Sequence, residues 1–242
     1  GHEVTFLIGS YTSLVGDPSD KDITRPVLTL DVVEQNAATY TEQAFRVLDR
    51  SKTVVRHNGE WLSEIPLVKF IQIAQSFTVQ QMLNRENFSK RMASNDPIYL
   101  QELFYPLMQG YDAVALEADV QVGGSDQLFN IITAGRKLQE AFGQKPQVGI
   151  IMGLLPGTDG VVKMSKSLGN HIPLNSDAND MYGKVMSVPD FAMPLYFKLA
   201  TSWLPDKVAA MNAALENNTE HPRDIKMAVA VDVTAEFFGC VW

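Results

Sequence analysis

The stretch from Val148 to Asn170 reads VGIIMGLLPGTDGVVKMSKSLGN. It opens on a short apolar run, VGIIM, closed by Gly153 and then by Pro156 and Gly157, which marks a buried strand. A turn-like Thr158-Asp159-Gly160 follows, and then two lysines and two serines ahead of Gly169. Lys163 and Lys166 stand three residues apart, and Gly157, Gly160 and Gly169 supply hinges. A loop of this kind can close over a triphosphate and neutralise charge on a departing pyrophosphate. A solvated surface loop has the same composition, so the stretch alone leaves both readings open. No Walker-type glycine loop precedes it, which argues against a P-loop enzyme.

The rest of the chain extends the strand-and-loop pattern. Val4–Ile8 (VTFLI) predicts a strand closed by Gly9, and Thr53–Asn58 (TVVRHN) a second. Asp119–Gly124 (DVQVGG) predicts a third strand, running into a glycine turn, and Gln147–Met152 a fourth. Helical spacing predicts helices over 31–48, about 65–83, 97–116 despite Pro106, and from Ser125 or Asp126 to about Phe142. Strands alternating with helices predict an α/β fold with a doubly wound parallel sheet, whose ligands sit beyond the carboxyl ends of the strands. After Asn170 the pattern is helical only, over 177–188, 191–204, 205–216 and 222–238. The expected organisation is therefore a partial α/β domain over 1–170, with an inserted helical segment at about 63–104, and a small helical subdomain over 171–242.

Composition sets the function classes. With 242 residues, 45% of them hydrophobic and 20% charged, the chain has the balance of a globular protein. A formal charge of −8 argues against nonspecific wrapping of nucleic acid, while leaving room for a local basic patch. Cys240 is the single cysteine, so no intramolecular disulfide forms and a reducing, cytoplasmic setting is expected. His2, His57, His171 and His221 lie far apart, with no zinc-like spacing, and no protein-bound structural metal is expected. No apolar run approaches the roughly 20 residues needed to span a bilayer. The chain starts in an apolar run and ends on FFGCVW, which reads as a fragment.

Two further constellations carry chemistry. Tyr105, Gln109 and Asp112, in YPLMQGYD, are spaced four and three residues apart, which puts a phenol, an amide and a carboxylate on one helix face among apolar neighbours. That stripe suits a pocket for a small polar ligand with an apolar body. It equally suits internally satisfied polar groups, because buried polar groups need partners either way. Gly123-Gly124-Ser125-Asp126-Gln127 lets a ligand approach the backbone at a strand–helix junction, and an acidic side chain there suits ribose hydroxyls better than phosphate. The early GDPSDKDITRP segment adds Asp17, Lys21 and Arg25 on another partly basic loop.

KMSKS, YPLMQGYD, VGGSDQ and GDPS, in these places along the chain, resemble the bacterial tyrosyl-tRNA synthetases, a group of the class I aminoacyl-tRNA synthetases. The resemblance covers essentially the whole chain and implies the Rossmann-like fold of class I synthetases. It implies activation of L-tyrosine by ATP to tyrosyl-adenylate and transfer to tRNA(Tyr), with Mg2+ accompanying ATP. Asp17, Tyr105 and Gln109 would hold the α-ammonium of tyrosine, Asp112 its phenolic hydroxyl, and Gln127 would lie near its carboxylate. Gly124 and Asp126 would meet the ribose. Lys163, Ser165 and Lys166 would bind ATP, and Lys163 and Lys166, with Lys21 and Arg25 opposite, would grip the pyrophosphate in the transition state. Asn58 and Trp61, in HNGEW, match a segment that supports the rim of the site.

The family also carries a His-x-Gly-His motif, and Gly1-His2 is read as a later Gly-His that precedes the second strand of the fold. The ATP-binding histidines, one tyrosine-binding residue and the RNA-binding module would then lie outside these residues, and the fragment alone is expected to form little adenylate. Val231 stands where the family more often has a basic residue, and the final Cys-Val-Trp matches nothing in it. The resemblance further implies a homodimer, with the interface sought between about Ile65 and Phe104, and no membrane or DNA partner. Tryptophanyl-tRNA synthetases share the fold and related motifs, and a non-catalytic relative on the same scaffold is the other alternative.

Overall fold

The computed structural model describes residues 1–16 and 29–239. Asp17, Lys21, Arg25 and Cys240 lie outside the described residues. The chain divides into two compact units, Gly1–Met152 and Gly153–Trp242.

The first unit holds two parallel strand pairs. β1 (Val4–Ile8) pairs with β2 (Thr53–His57), Val4 opposite Thr53 and Ile8 opposite His57. β3 (Val120–Gly124) pairs with β4 (Val148–Met152), Val120 opposite Val148. Parallel neighbours require crossovers, and helices supply them. α1 (Thr12–Val15) and α2 (Leu30–Ala44) lie between β1 and β2 in the chain. After β2 come α3 (Gly59–Leu62), α4 (Leu67–Ala74), α5 (Val79–Leu83), α6 (Glu86–Ala93) and α7 (Leu100–Ala115).

The single helix expected over 65–83 is two helices. The first ends at Ala74, and Thr78 caps the start of the second: its hydroxyl accepts from the Gln81 N–H at 3.1 Å, and the Gln81 side chain accepts from the Thr78 N–H at 3.2 Å. α7 is continuous through Pro106, as its apolar pattern predicts. Its start is fixed by Glu102, which accepts from the Tyr99 N–H at 2.9 Å.

The segment after β3 also differs from a simple helix. It begins as a 3-10 turn (Ser125–Gln127), widens into a π-helical stretch (Phe129–Gly135), and only then becomes α8 (Arg136–Ala141). The wide stretch lies hard against α7: a Cβ on Gly110 would stand 2.9 Å from the carbonyl carbon of Ala134. Leu107, Met108, Tyr111 and Val114 of α7 form a core with Leu62, Ile73, Met82 and Leu138.

β4 is not the fully buried strand its apolar run suggests, and its partner β3 is likewise half-open. Val122 and Ile150 are exposed with Val120, Val148 and Met152, on one face, while glycines 123 and 149 on the other lie against Ile131 and Ile132. An apolar strand stays exposed on any face that no layer covers.

The second unit is helical: α9 (Ala178–Ser187), α10 (Met193–Leu199), α11 (Pro205–Asn217) and α12 (Pro222–Phe238). Asp177 caps α9 through the Asp180 N–H, and His221 caps α12 through the Arg223 N–H. Met181, Val185, Tyr196, Phe197, Ile225 and Val229 are among its buried core residues. The lysine loop belongs to this unit. The helical texture starts near Gly169, but the compact body already starts at Gly153, because Leu155, Met164 and Ile172 pack on the helical core.

Candidate active site

Among the described residues predicted to bind substrate, Asp112 is the most deeply buried. It lies on α7 at 3% exposure, and both carboxylate oxygens carry donors: Trp61 Nε1 at 2.8 Å on Oδ1 and Asn58 Nδ2 at 3.2 Å on Oδ2. Burial pushes its carboxyl up to about 7, against the opposing pull of those two hydrogen bonds. A buried carboxyl shifted toward neutrality is the kind of group that marks a candidate site.

Asn58 is the node of this arrangement. Fully buried at the end of β2, it accepts from the Tyr11 N–H at 2.8 Å and donates to Thr12 Oγ1 at 3.1 Å as well as to Asp112. It thus ties β1's exit, β2's exit and α7 to one point. Gly9 makes room for the tie, since a Cβ there would stand 2.5 Å from Thr12 Oγ1. Arg56 lies over the Trp61 ring, 5.4 Å from its centroid, and bonds Glu60 at 2.7 Å.

One turn before Asp112, Gln109 donates to Gln127 Oε1 at 3.1 Å, and Asn130 donates to the same oxygen at 2.9 Å. Gln109 Oε1 is buried and has no hydrogen-bond partner among the described residues. A buried acceptor left unpaired costs about 1–3 kcal/mol. Tyr105, one turn earlier, is half-buried, as are Gly124, Asp126 and Gln127 at the exit of β3. The structure therefore brings Gln109 and Gln127 together through a direct bond and sets Asp112 on the same helix face.

Lys163, Ser165 and Lys166 lie in the second unit. Lys163 forms an isolated antiparallel bridge with Pro156, Ser165 donates its N–H to Asn170 Oδ1 at 2.8 Å, and exposed Lys166 begins a 3-10 turn ended by Gly169 at φ 70°. Thr12, Asn130, Asp159 and Asn170 were not read from the sequence as part of either group. The partners of Thr12, Asn130 and Asn170 are set by chain folding, whereas Asp159 carried a local signal as part of the turn-like Thr158-Asp159-Gly160. Among the described residues no cluster of three His, Cys, Asp or Glu side chains is placed to hold a metal ion. No described helix is long and apolar enough to cross a membrane.

The tyrosine–tRNA ligase of Thermotoga maritima is 45% identical over 239 residues, a match covering 99% of this chain and 59% of that protein. That of Desulfotalea psychrophila is 48% identical over 237 residues, covering 98% of this chain and 58% of that protein. The chain thus spans somewhat more than half the length of these relatives. A truncated mitochondrial tyrosyl-tRNA synthetase of Aspergillus nidulans superposes with a TM-score of 0.72 at 23% identity, covering 98% of this chain and 72% of that one. The Archaeoglobus fulgidus tyrosyl-tRNA synthetase crystallised with L-tyrosine gives 0.71 at 20% identity, covering 98% and 78%. Likeness at such low identity speaks for the fold, a class I synthetase α/β core. The model of the class I tRNA synthetases for tryptophan and tyrosine matches residues 1–239, and the chain belongs to that family.

Proposed function

We propose that this chain carries the amino-acid-activating site of a tyrosine–tRNA ligase. The observation that supports it above all is Asp112, buried, near neutrality in its titration, and held by Trp61 and Asn58. A phenolic hydroxyl, carried on an apolar ring, is a hydrogen-bonding group that such a carboxylate can select. Phenylalanine would bring no hydroxyl to Asp112 and leave it to Trp61 and Asn58 alone; this class of enzyme is itself the reference case for discrimination by a missing hydroxyl. The orphaned Gln109 Oε1 accepts from the α-ammonium, together with Tyr105 and Asp17, and Gln127 lies near the carboxylate.

The substrate carboxylate attacks the α-phosphorus of magnesium-bound ATP, a new P–O bond forms, and the bond to the β-phosphate oxygen breaks to release pyrophosphate. No enzyme nucleophile takes part, so positioning and charge neutralisation supply the rate. Gly124 and Asp126 receive the ribose. Lys163, Ser165 and Lys166, with Lys21 and Arg25, stabilise the departing pyrophosphate. The adenylate then passes its tyrosyl group to tRNA(Tyr), on a homodimer in the cytoplasm.

Amino-acid-dependent ATP–pyrophosphate exchange on the full-length protein tests this. Exchange with tyrosine, and little with tryptophan or phenylalanine, is the expected result. Exchange with tryptophan alone would move the chain to the other half of its family, and exchange with none would make it a non-catalytic relative.

A further inference from the structure

Asn170 is 8% exposed and has more polar contacts than its place in a surface loop requires. Its Nδ2 donates to Asp159 Oδ2 at 2.5 Å and lies 3.3 and 3.4 Å from the carbonyls of Val162 and Lys163. Its Oδ1 accepts from the Ser165 N–H at 2.8 Å, and its own carbonyl accepts from the Thr158 N–H at 2.8 Å. Asp159 in turn accepts from the N–H groups of Val161 and Val162 at 2.8 and 2.6 Å. The two side chains close residues 159–170 into a ring. Lys163 and Lys166 both lie on it.

The ring is built tightly. Gly157 sits where a Cβ would stand 2.3 Å from Asn170 Cγ, so only glycine allows the side chain its place. Gly160 and Gly169, at φ 74° and 70°, make the turns at either end. Tyr196 donates to the Pro156 carbonyl at 2.7 Å, and the Met164 N–H donates to the Leu155 carbonyl at 2.9 Å, which fasten the ring to the helical core. The hydrogen bond from Asn170, followed by those from Val161 and Val162, holds the Asp159 carboxyl below its usual range, so the bond is charge-assisted at neutral pH.

We propose that Asp159 and Asn170 are positioning residues: their bond fixes the shape of the ring and so presents Lys163 and Lys166 as one unit to the pyrophosphate. The bond's geometry belongs to the ring alone, whereas its catalytic consequence rests on the proposed function. A loop preorganised in this way spends less of its binding energy on ordering the two lysines.

An isosteric cycle in the full-length protein tests it. Asp159→Asn sets an amide donor against the Asn170 donor, and Asn170→Asp sets a carboxylate against a carboxylate. The double exchange Asp159→Asn/Asn170→Asp restores a donor facing an acceptor. Trypsin cleavage after Lys163 and Lys166, measured against cleavage after exposed Lys52, should quicken roughly tenfold in each single variant and return to within about threefold of the parent in the double variant. Affinity for magnesium pyrophosphate, measured by calorimetry, should fall and recover in parallel. Unchanged cleavage in the single variants, or a double variant as labile as the two losses combined, would overturn the ring. Altered cleavage with unchanged pyrophosphate affinity would overturn the positioning role. A parent that bound no pyrophosphate would instead contradict the proposed function, and with it that role.

Discussion

Trp61 donates its indole N–H to Asp112 over 2.8 Å, joining residues 51 positions apart in the chain. The bond aims one carboxylate oxygen and opposes the upward push of burial on its titration.

Trp61→Phe removes that donor and keeps most of the ring. Losing a hydrogen bond to a buried charged group costs about 1.5–3 kcal/mol, so kcat/KM for tyrosine should fall roughly tenfold or more. Preference for tyrosine over phenylalanine should fall with it. Exchange kinetics with both amino acids measure this, and an unchanged preference would separate Trp61 from recognition.

Stability should depend on pH through Asp112. The folded carboxyl titrates at about 7 against an ordinary value of 3.8, so the folded state binds more protons between those values. The stability this group contributes is fully present below about pH 4 and is lost as pH rises through about 7. Asp112→Asn cannot titrate. The loss of stability it causes should therefore be larger at pH 5 than at pH 8, by up to a few kcal/mol, in urea unfolding of the ligand-free protein.

Arg91 and Glu102 form a buried pair, each side chain at 4% exposure or less, with contacts of 2.6 and 2.9 Å. Arg91 also donates to the Pro97 carbonyl. Arg91→Met leaves the Glu102 charge buried without its cation, with only the Tyr99 N–H still bonded to it, and should cost about 3–5 kcal/mol. Arg91→Met/Glu102→Gln keeps an oxygen for the Tyr99 N–H without a stranded charge. It should lose clearly less than the single variant in the same unfolding measurement.

Gly110→Ala places a Cβ against the backbone of Ala134, which cannot swing aside as a side chain end can. Destabilisation of about 1–3 kcal/mol is expected. Because α7 carries Gln109, and the 3-10 turn leading into the π-helical stretch carries Gln127, the KM for tyrosine should rise as well.

The legible features were those written in local pattern. VTFLI and VGIIM announced strands because each is a short apolar run ended by glycine, and the four-and-three spacing of Tyr105, Gln109 and Asp112 fixed their shared face. The break at Thr78 was legible in principle, since a capping box is a local motif, yet the continuous apolar spacing over 65–83 hid it. The π-helical widening after Gln127 had no such signature; it appears where Gly110 and Ala134 bring two backbones together. The partners of Asp112 come from 51 and 54 positions away, a distance no periodicity spans. The family resemblance placed Asn58 and Trp61 near the rim, and the fold shows what they hold. The exposed face of β4 was hidden for another reason: an apolar strand reads the same whether or not a layer covers it.

The most direct measurement is a crystal structure of the full-length protein with L-tyrosine. The account predicts the phenolic oxygen within hydrogen-bonding distance of Asp112 and the α-ammonium against Gln109 Oε1. Tyrosine bound elsewhere, with Asp112 still closed only on Trp61 and Asn58, would contradict it.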